Sequence, residues 1–221
     1  MMNTLAVDYS YKSLLIYFNI NDEALPLVVS KNNISNNLSV PKIFKEFVLE
    51  NNINLNHLDL IINSYGPGSF TGLRISLSFI KGLSLGLSIP FVNILTFDVF
   101  ANLVHKNSDI VTLSFTAGRY FFGYYRYSKL CNDIFCFSEK ELFEYLKKLD
   151  SNLVIIGNGI EFIYDKLKNK YTIISNIDSF GHVLTELGKC KYLKNKQGDD
   201  IFSGPFYARM SDAELNSYLI K

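Results

Sequence analysis

Asp8 closes a short apolar run, Thr4 to Val7, and is the carboxylate best placed in this sequence to do chemistry. At the end of a first strand, such an acid can orient a metal ion or a water molecule in an ATPase-like cleft. The plainer role is a turn aspartate that bonds its own backbone. A second candidate is Gly66-Pro67-Gly68-Ser69-Phe70-Thr71-Gly72, which separates an apolar run at 58–63 from another at 73–87. A glycine-rich turn feeding a helix can hold an anion on the first N–H groups, and Ser69 and Thr71 can each accept a bond from those same groups. A phosphate loop would need Lys followed by Ser or Thr after the last glycine, but Leu73-Arg74 follow Gly72. The spacing of Gly66, Gly68 and Gly72 also departs from the dinucleotide fingerprint. The spacing therefore favours a rigid strand-to-helix elbow, with an anion contact as the alternative.

Other catalytic constellations are sparse. His57, His105 and His182 are isolated, no H-x-x-x-H or H-E-x-x-H pair exists, and no metal site is predicted. Ser69 lacks the G-x-S-x-G frame of a nucleophile elbow. Cys131, Cys136 and Cys190 are odd in number and contain no C-x-x-C, which fits a reducing compartment rather than a disulfide framework. With 48% hydrophobic and 19% charged residues the 221-residue chain can build a sizeable core, as one compact domain or two small lobes. A formal net charge of +1 argues against a broad electrostatic grip on nucleic acid. The first residues carry neither a positive region nor a long apolar stretch, so no signal peptide is expected. The apolar region 75–95 approaches membrane-spanning length, but Lys81, Pro90 and Asn93 interrupt it, and a buried helix followed by a strand fits better.

The elements that must position these residues follow from periodicity. Strands are predicted over 4–7, 13–18 and 27–29, with a turn at 21–23. A helix over 41–50 carries Pro41 at its first position and Ser39 as a cap. Strand 58–63, helix 72–87, strand 91–95 and a helix over 98–104 capped by Thr96 complete a first half of order βββαβαβα, a mixed sheet covered by helices. A second unit starts near 105. Strands over 110–115 and 119–127 flank a turn at 116–118. The aromatic run Tyr120, Phe121, Phe122, Tyr124, Tyr125, Tyr127 reads as a half-buried strand rather than a base-stacking platform, since only Arg119 and Arg126 are basic there. Helices over 138–149, 161–168 and 180–187 and a strand over 153–156 follow, and 192–200 reads as a solvated loop.

Helix 72–87 carries a further signal. Ser78, Gly82 and Gly86 recur every fourth residue, a small-residue ridge that admits another helix closely. Leu73, Leu77, Ile80 and Leu87, with Ile75, Phe79 and Leu83, cover most of the remaining circumference. A helix apolar nearly all round is buried nearly all round. One face can pack on the sheet; the other needs a second helix of the same chain or another chain, and both readings stay open.

At Leu5-Ala6-Val7-Asp8, at Gly66-Pro67-Gly68-Ser69-Phe70-Thr71-Gly72-Leu73-Arg74, and at Gly82-Leu83-Ser84-Leu85-Gly86-Leu87-Ser88-Ile89-Pro90 the chain resembles the TsaB (YeaZ) family. Those proteins are subunits of the bacterial machinery that makes threonylcarbamoyladenosine in tRNA. Weaker echoes are Ile156-Gly157-Asn158-Gly159 and Pro205-Phe206-Tyr207-Ala208-Arg209 with Asp212-Ala213-Glu214. The resemblance is specific over about 58–100. It implies an α/β fold of two lobes, ribonuclease H-like, as in actin, sugar kinases and heat-shock chaperones, with mixed sheets flanked by helices. Residues 1–104 would form the first lobe, and 105–221 a smaller, more diverged one whose last helix packs back on the first.

The same resemblance implies a non-catalytic scaffold, with no catalytic residues of its own and Asp8 as a vestigial acid. It would bind the catalytic subunit TsaD as a heterodimer through helices 41–50 and 70–87, with the ATPase TsaE joining, for modification of adenosine 37. Contacts would come from Ile43, Phe47, Leu73, Arg74, Leu77, Ser78, Lys81, Gly82, Leu85 and Gly86. For the chain alone, monomer and homodimer both stay open. ATP or ADP enters only at an interface of the complex, tRNA is reached indirectly, no membrane is involved, and the location is cytoplasmic. Two departures stand out. Phe115-Thr116-Ala117-Gly118-Arg119-Tyr120 lacks the acid that commonly opens the family's second lobe, and Asn37-Leu38-Ser39 replaces its usual His-Ser. The alternative function is a stand-alone ATPase or small-molecule kinase using Asp8 and a phosphate contact at Gly66–Gly72. A metallopeptidase would need a metal site that this sequence does not supply.

Overall fold

The computed structural model describes residues 2–30, 39–104, 108–131, 133–149, 152–174 and 177–208. These fall into two compact units, one of Met1–Val99 with Asp178–Pro205 and one built on Phe100–Ile177. The helix Phe180–Asn195 lies with the first unit.

In the first unit β1 (Thr4–Asp8), β2 (Ser13–Ile20), β3 (Glu23–Ser30), β4 (Leu60–Ser64) and β5 (Phe91–Ile94) form one sheet in the order β3-β2-β1-β4-β5. The pairs β1–β2 and β2–β3 are antiparallel, whereas β1–β4 and β4–β5 are parallel. Asn21 and Asp22 take φ of 52° and 65°, the left-handed pair that a two-residue hairpin needs. All five residues of β1 are buried because both faces of this central strand are covered. Leu5 and Val7 join Leu14, Ile16, Phe18, Ile61 and Phe91 under the helices α1 (Val40–Glu50) and α2 (Phe70–Leu87), which add Ile43, Phe44, Leu77 and Ile80. The Phe44 and Phe79 rings, 5.1 Å apart edge to face, join the two helices.

The opposite face is covered by α6 (Phe180–Asn195). Gly188 is the residue that admits it, since a Cβ there would fall 2.6 Å from the Ile62 side chain. Helix α6 is longer than the sequence predicts and takes in the start of the expected loop, 192–195; the rest, 196–200, is a loop with 196 and 197 exposed. The segment after it runs along the outer edge of β5. The Asp199 N–H donates to the Phe91 carbonyl at 2.7 Å, and the Asn93 N–H donates to Asp199 Oδ2 at 2.7 Å. Lys191 Nζ donates to both Asp199 Oδ2 (2.8 Å) and the Asn93 carbonyl (3.0 Å). Asp199 thus ties this segment to both Lys191 and the strand edge.

Helix α3 (Thr96–Asn102) contains the boundary between the units. In the second unit the sheet order is β11-β10-β6-β7-β8, with β9 also on β7. Its strands are β6 (Asp109–Thr116), β7 (Arg119–Arg126), β8 (Lys129–Leu130), β9 (Phe135–Phe137), β10 (Leu153–Asn158) and β11 (Thr172–Ile174). Most of the aromatic run lies on β7 and is buried, while Tyr127 stands beyond the strand, 69% exposed. Tyr120, Phe121, Phe122 and Tyr125 are buried, and Phe122 meets Phe137 and Tyr145 at 5.7 and 5.2 Å between ring centroids. Helix α4 (Glu139–Leu146) starts on a capping box: the Glu141 N–H donates to Ser138 Oγ and the Ser138 N–H to Glu141 Oε2. The predicted helix over 161–168 is a 3₁₀ turn, Ile160–Phe162, followed by the short α5 (Tyr164–Leu167).

At the start of β6, Asp109 accepts two bonds from Arg126 (3.0 and 2.8 Å) and one from the Tyr124 hydroxyl (2.6 Å). The hydrogen bonds from Arg126, then from Tyr124, hold its carboxyl below the usual carboxylate range. Both units are mixed sheets flanked by helices, the expected two-lobed α/β class. Among the described residues no helix is long and apolar enough to cross a membrane. Helix α2 ends at Ser88, which adopts a left-handed φ of 55°.

Candidate functional site: the glycine elbow and the open face of α2

The elbow is built on backbone contact. Gly66 has φ of 116°, which only glycine adopts freely, and the Gly66–Pro67 bond is cis. The Gly66 carbonyl accepts the Thr96 N–H at 2.8 Å, and the Ser69 N–H donates to the Ser10 carbonyl at 2.6 Å. A Cβ at Gly68 would lie 2.3 Å from the Ser10 oxygen, and one at Gly72 1.9 Å from the Tyr9 oxygen. These two glycines therefore let α2 start directly against the turn between β1 and β2. Ser69 caps the helix, its Oγ accepting the Gly72 N–H at 3.3 Å, while Thr71 is exposed and makes no such cap. What faces Gly68 and Gly72 is a pair of carbonyl oxygens, the negative ends of peptide dipoles. Such close backbone packing is what a structural elbow needs.

Asp8 lies next to the elbow, 9% exposed, and its carboxylate accepts the Ser10 N–H at 3.3 Å. That is the local turn bond of the plainer reading. Tyr65, just before Gly66, keeps its phenol protonated to unusually high pH, first through burial and then through the nearby carboxylates of Asp199 and Asp98. His57 and His182 are exposed, and His105 lies outside the described residues. So do Arg209, Asp212, Ala213 and Glu214 of the C-terminal echo and Asn37-Leu38 before α1. Among the described residues no group of three His, Cys, Asp or Glu side chains is placed to hold a metal ion.

Helix α2 divides its residues sharply. Leu73 and Leu77 are 1% and 4% exposed and, like Ile43 of α1, belong to the core, not to any surface a partner could touch. Leu73 lies nine residues from Gly82, about 180° around the helix. Arg74, Ser78, Gly82, Leu85 and Gly86 are exposed on one stripe, and Phe47 and Lys81 are half-buried at its margins. A Cβ added at Gly82 or Gly86 would meet nothing within 4 Å. The sequence reading missed Ile75 and Leu49 as surface residues, 39% and 64% exposed. Ile75 is seven residues from Gly82, two helical turns along the same face, and that spacing was the signal available.

A profile of the TsaD family, tRNA N6-adenosine threonylcarbamoyltransferase, matches residues 25–149, more than half of the chain, including both α1 and α2. The TsaB protein of Buchnera aphidicola subsp. Baizongia pistaciae is 32% identical over 146 residues, which is 60% of this chain and 64% of that protein. The chain belongs to the TsaD family, on its TsaB (YeaZ) side. The TsaD-type transferase of Thermosipho melanesiensis is 39% identical over 70 residues, 32% of this chain but 21% of its own length. The chain thus matches less than two thirds of the length of these curated TsaB and TsaD relatives. The solved structure of YeaZ from Pseudomonas aeruginosa superposes with a TM-score of 0.72 over 94% of this chain and 100% of that one, at 16% identity. At that identity the likeness speaks for the fold alone.

Proposed function

We propose that the chain is a non-catalytic subunit in tRNA threonylcarbamoyladenosine biosynthesis. It docks on TsaD through the open face of α2, with TsaE joining the assembly, and TsaD modifies adenosine 37 of the tRNA. The observation that carries this reading is the exposed stripe Ser78-Gly82-Gly86 flanked by Ile75 and Leu85. Small residues on a helix surface allow an approach at the short end of the 8–10 Å interaxial range, and an apolar face left in water marks a contact surface. A role without chemistry is supported by the elbow, where the Tyr9 and Ser10 oxygens face the glycines, and by Asp8, which is engaged by its own turn. Nucleotide then enters only at an interface with a partner, and the subunit works in the cytoplasm.

The test is co-expression with TsaD of the same organism, followed by size-exclusion chromatography with light scattering. A stable one-to-one complex is expected, with no ATP hydrolysis by the isolated chain. Separate elution of the two proteins, together with ATP turnover by this chain alone, refutes the proposal.

A further inference from the structure

The segment Ile156-Gly157-Asn158-Gly159 at the end of β10 lies wholly in the second unit and has no part in the docking face. Gly157 and Gly159 take φ of 141° and 82°. A Cβ at Gly157 would fall 1.9 Å from the Leu113 carbonyl oxygen, and one at Gly159 would fall 2.2 Å from the Phe115 Cβ. The chain is thus pressed against β6 on both sides of Asn158, which is held between two points where no side chain fits. Asn158 is only 9% exposed, yet among the described residues nothing bonds its side chain. A polar group so far buried is normally satisfied by the protein.

Asn158 lines a cavity of about 410 Å³, within the size range of small-molecule sites. Ligands of parallel sheets bind outside the carboxyl ends of the strands. This cavity has that position: β10 ends at Asn158, and its parallel neighbour β11 ends at Ile174. Ile160, Ile173, Ile174 and Ile177 give it an apolar wall. Its charged lining residues are Glu161 and Asp165, and no Lys, Arg or His lines it. Asp165 already holds Lys168 Nζ at 2.5 Å, so this rim attracts a cation. A phosphate or a carboxylate would meet two acids and no opposite charge.

We propose that the cavity binds an organic cation on an aliphatic stem, an alkylguanidinium or alkylammonium group. The stem lies along the isoleucines, the cationic N–H groups donate to Asn158 Oδ1, and Glu161 on the exposed rim supplies the opposite charge. The ligand thereby provides the bond that the fold leaves out at Asn158. The site does not depend on the docking reading.

The test is an NMR titration of the full chain with agmatine, with N-acetylarginine methylamide and with butyrate as the anionic control. It is followed at the Asn158 side-chain amide and at the Gly157 and Gly159 amides. Both cations are expected to shift these signals, and butyrate to leave them in place. Tighter binding of N-acetylarginine methylamide identifies the source as a basic side chain of a polypeptide; tighter binding of agmatine identifies a free amine. Asn158→Leu should weaken cation binding about 10-fold or more, the loss of a hydrogen bond to a charged group. The same variant should unfold at the same or a higher temperature, since it removes a buried group without a partner. Glu161→Gln, on an exposed residue that does not threaten folding, should weaken binding about 2- to 5-fold. No shift with either cation at millimolar concentration, or an equal response to butyrate, overturns the inference. So does a lower melting temperature of Asn158→Leu with unchanged cation binding, which would show that the carboxamide serves the fold.

Discussion

Replacing Gly82 with leucine should move two quantities in opposite directions. A Cβ at this position meets nothing within 4 Å, so the isolated chain accommodates the new side chain without a clash. Glycine inside a helix costs about 1 kcal/mol relative to alanine, and leucine is close to alanine. The variant should therefore be more stable by about 0.8 kcal/mol, a rise in melting temperature of roughly 2–3 °C for a chain of this size. Docking reverses the sign. The same leucine stands on the floor of the small-residue stripe, where a partner helix must come close. Overpacking there costs about 1–3 kcal/mol, which is about a 5- to 150-fold loss of affinity for TsaD. Differential scanning calorimetry of the chain and titration calorimetry with TsaD give the two numbers on one preparation. A lower melting temperature would mean that the face is not open in the free chain. Unchanged affinity with a raised melting temperature would mean that this face is not where TsaD binds.

Three further perturbations probe the elements around that face. Gly72→Ala places a Cβ 1.9 Å from the Tyr9 carbonyl oxygen, so the start of α2 must shift; about 3 kcal/mol or more of stability should be lost, read from the urea midpoint, and a neutral result would contradict the elbow. Asp109 has a carboxyl pKa lowered in the folded state by Arg126 and Tyr124, so its contribution is present above the unfolded value near 3.8 and is lost as pH falls through the lower folded value. Asp109→Asn should thus lower stability at pH 6 and flatten the acid limb below pH 4, checked by urea titrations across that window. Asp199→Ala removes the acceptor shared by Lys191 and the Asn93 N–H; a loss of about 2 kcal/mol should appear with faster hydrogen exchange at the Asn93 amide, and unchanged exchange would show that the β5 edge is protected by other means.

The central sheet and α2 were legible because their apolar residues recur at the periods of buried strands and helices, and because Gly66-Pro67-Gly68 marks so sharp a break. The C-terminal part of the first unit was not. After Leu187 the sequence turns to glycine, lysine and cysteine, which reads as the end of a helix. Gly188 is instead the contact point with Ile62, Lys189 pairs with Glu186, and Lys191 pairs with Asp199. No local pattern announces a partner roughly a hundred positions away. The three-residue strands Phe135–Phe137 and Thr172–Ile174 are too short to show a period. On the candidate surface, the spacing of Ser78, Gly82 and Gly86 was readable. Which of the surrounding leucines face inward depends on where the sheet lies, and so periodicity alone does not separate the core residues Leu73 and Leu77 from the surface.

The strap on β5 also sets an order on biosynthesis. Asn93 and the aspartate that occupies its N–H are 106 positions apart. At a synthesis rate of about 5–20 residues per second, the first sheet spends roughly 5–20 s with its β5 edge unclaimed. During that interval the nascent chain presents a row of peptide groups able to recruit a strand from a neighbouring polypeptide. On the opposite edge β3 carries Pro26, which has no N–H to offer. The window of vulnerability closes only when the last quarter of the first unit arrives, so a message truncated just short of codon 199 should yield a protein that associates edge to edge instead of one that merely lacks a tail.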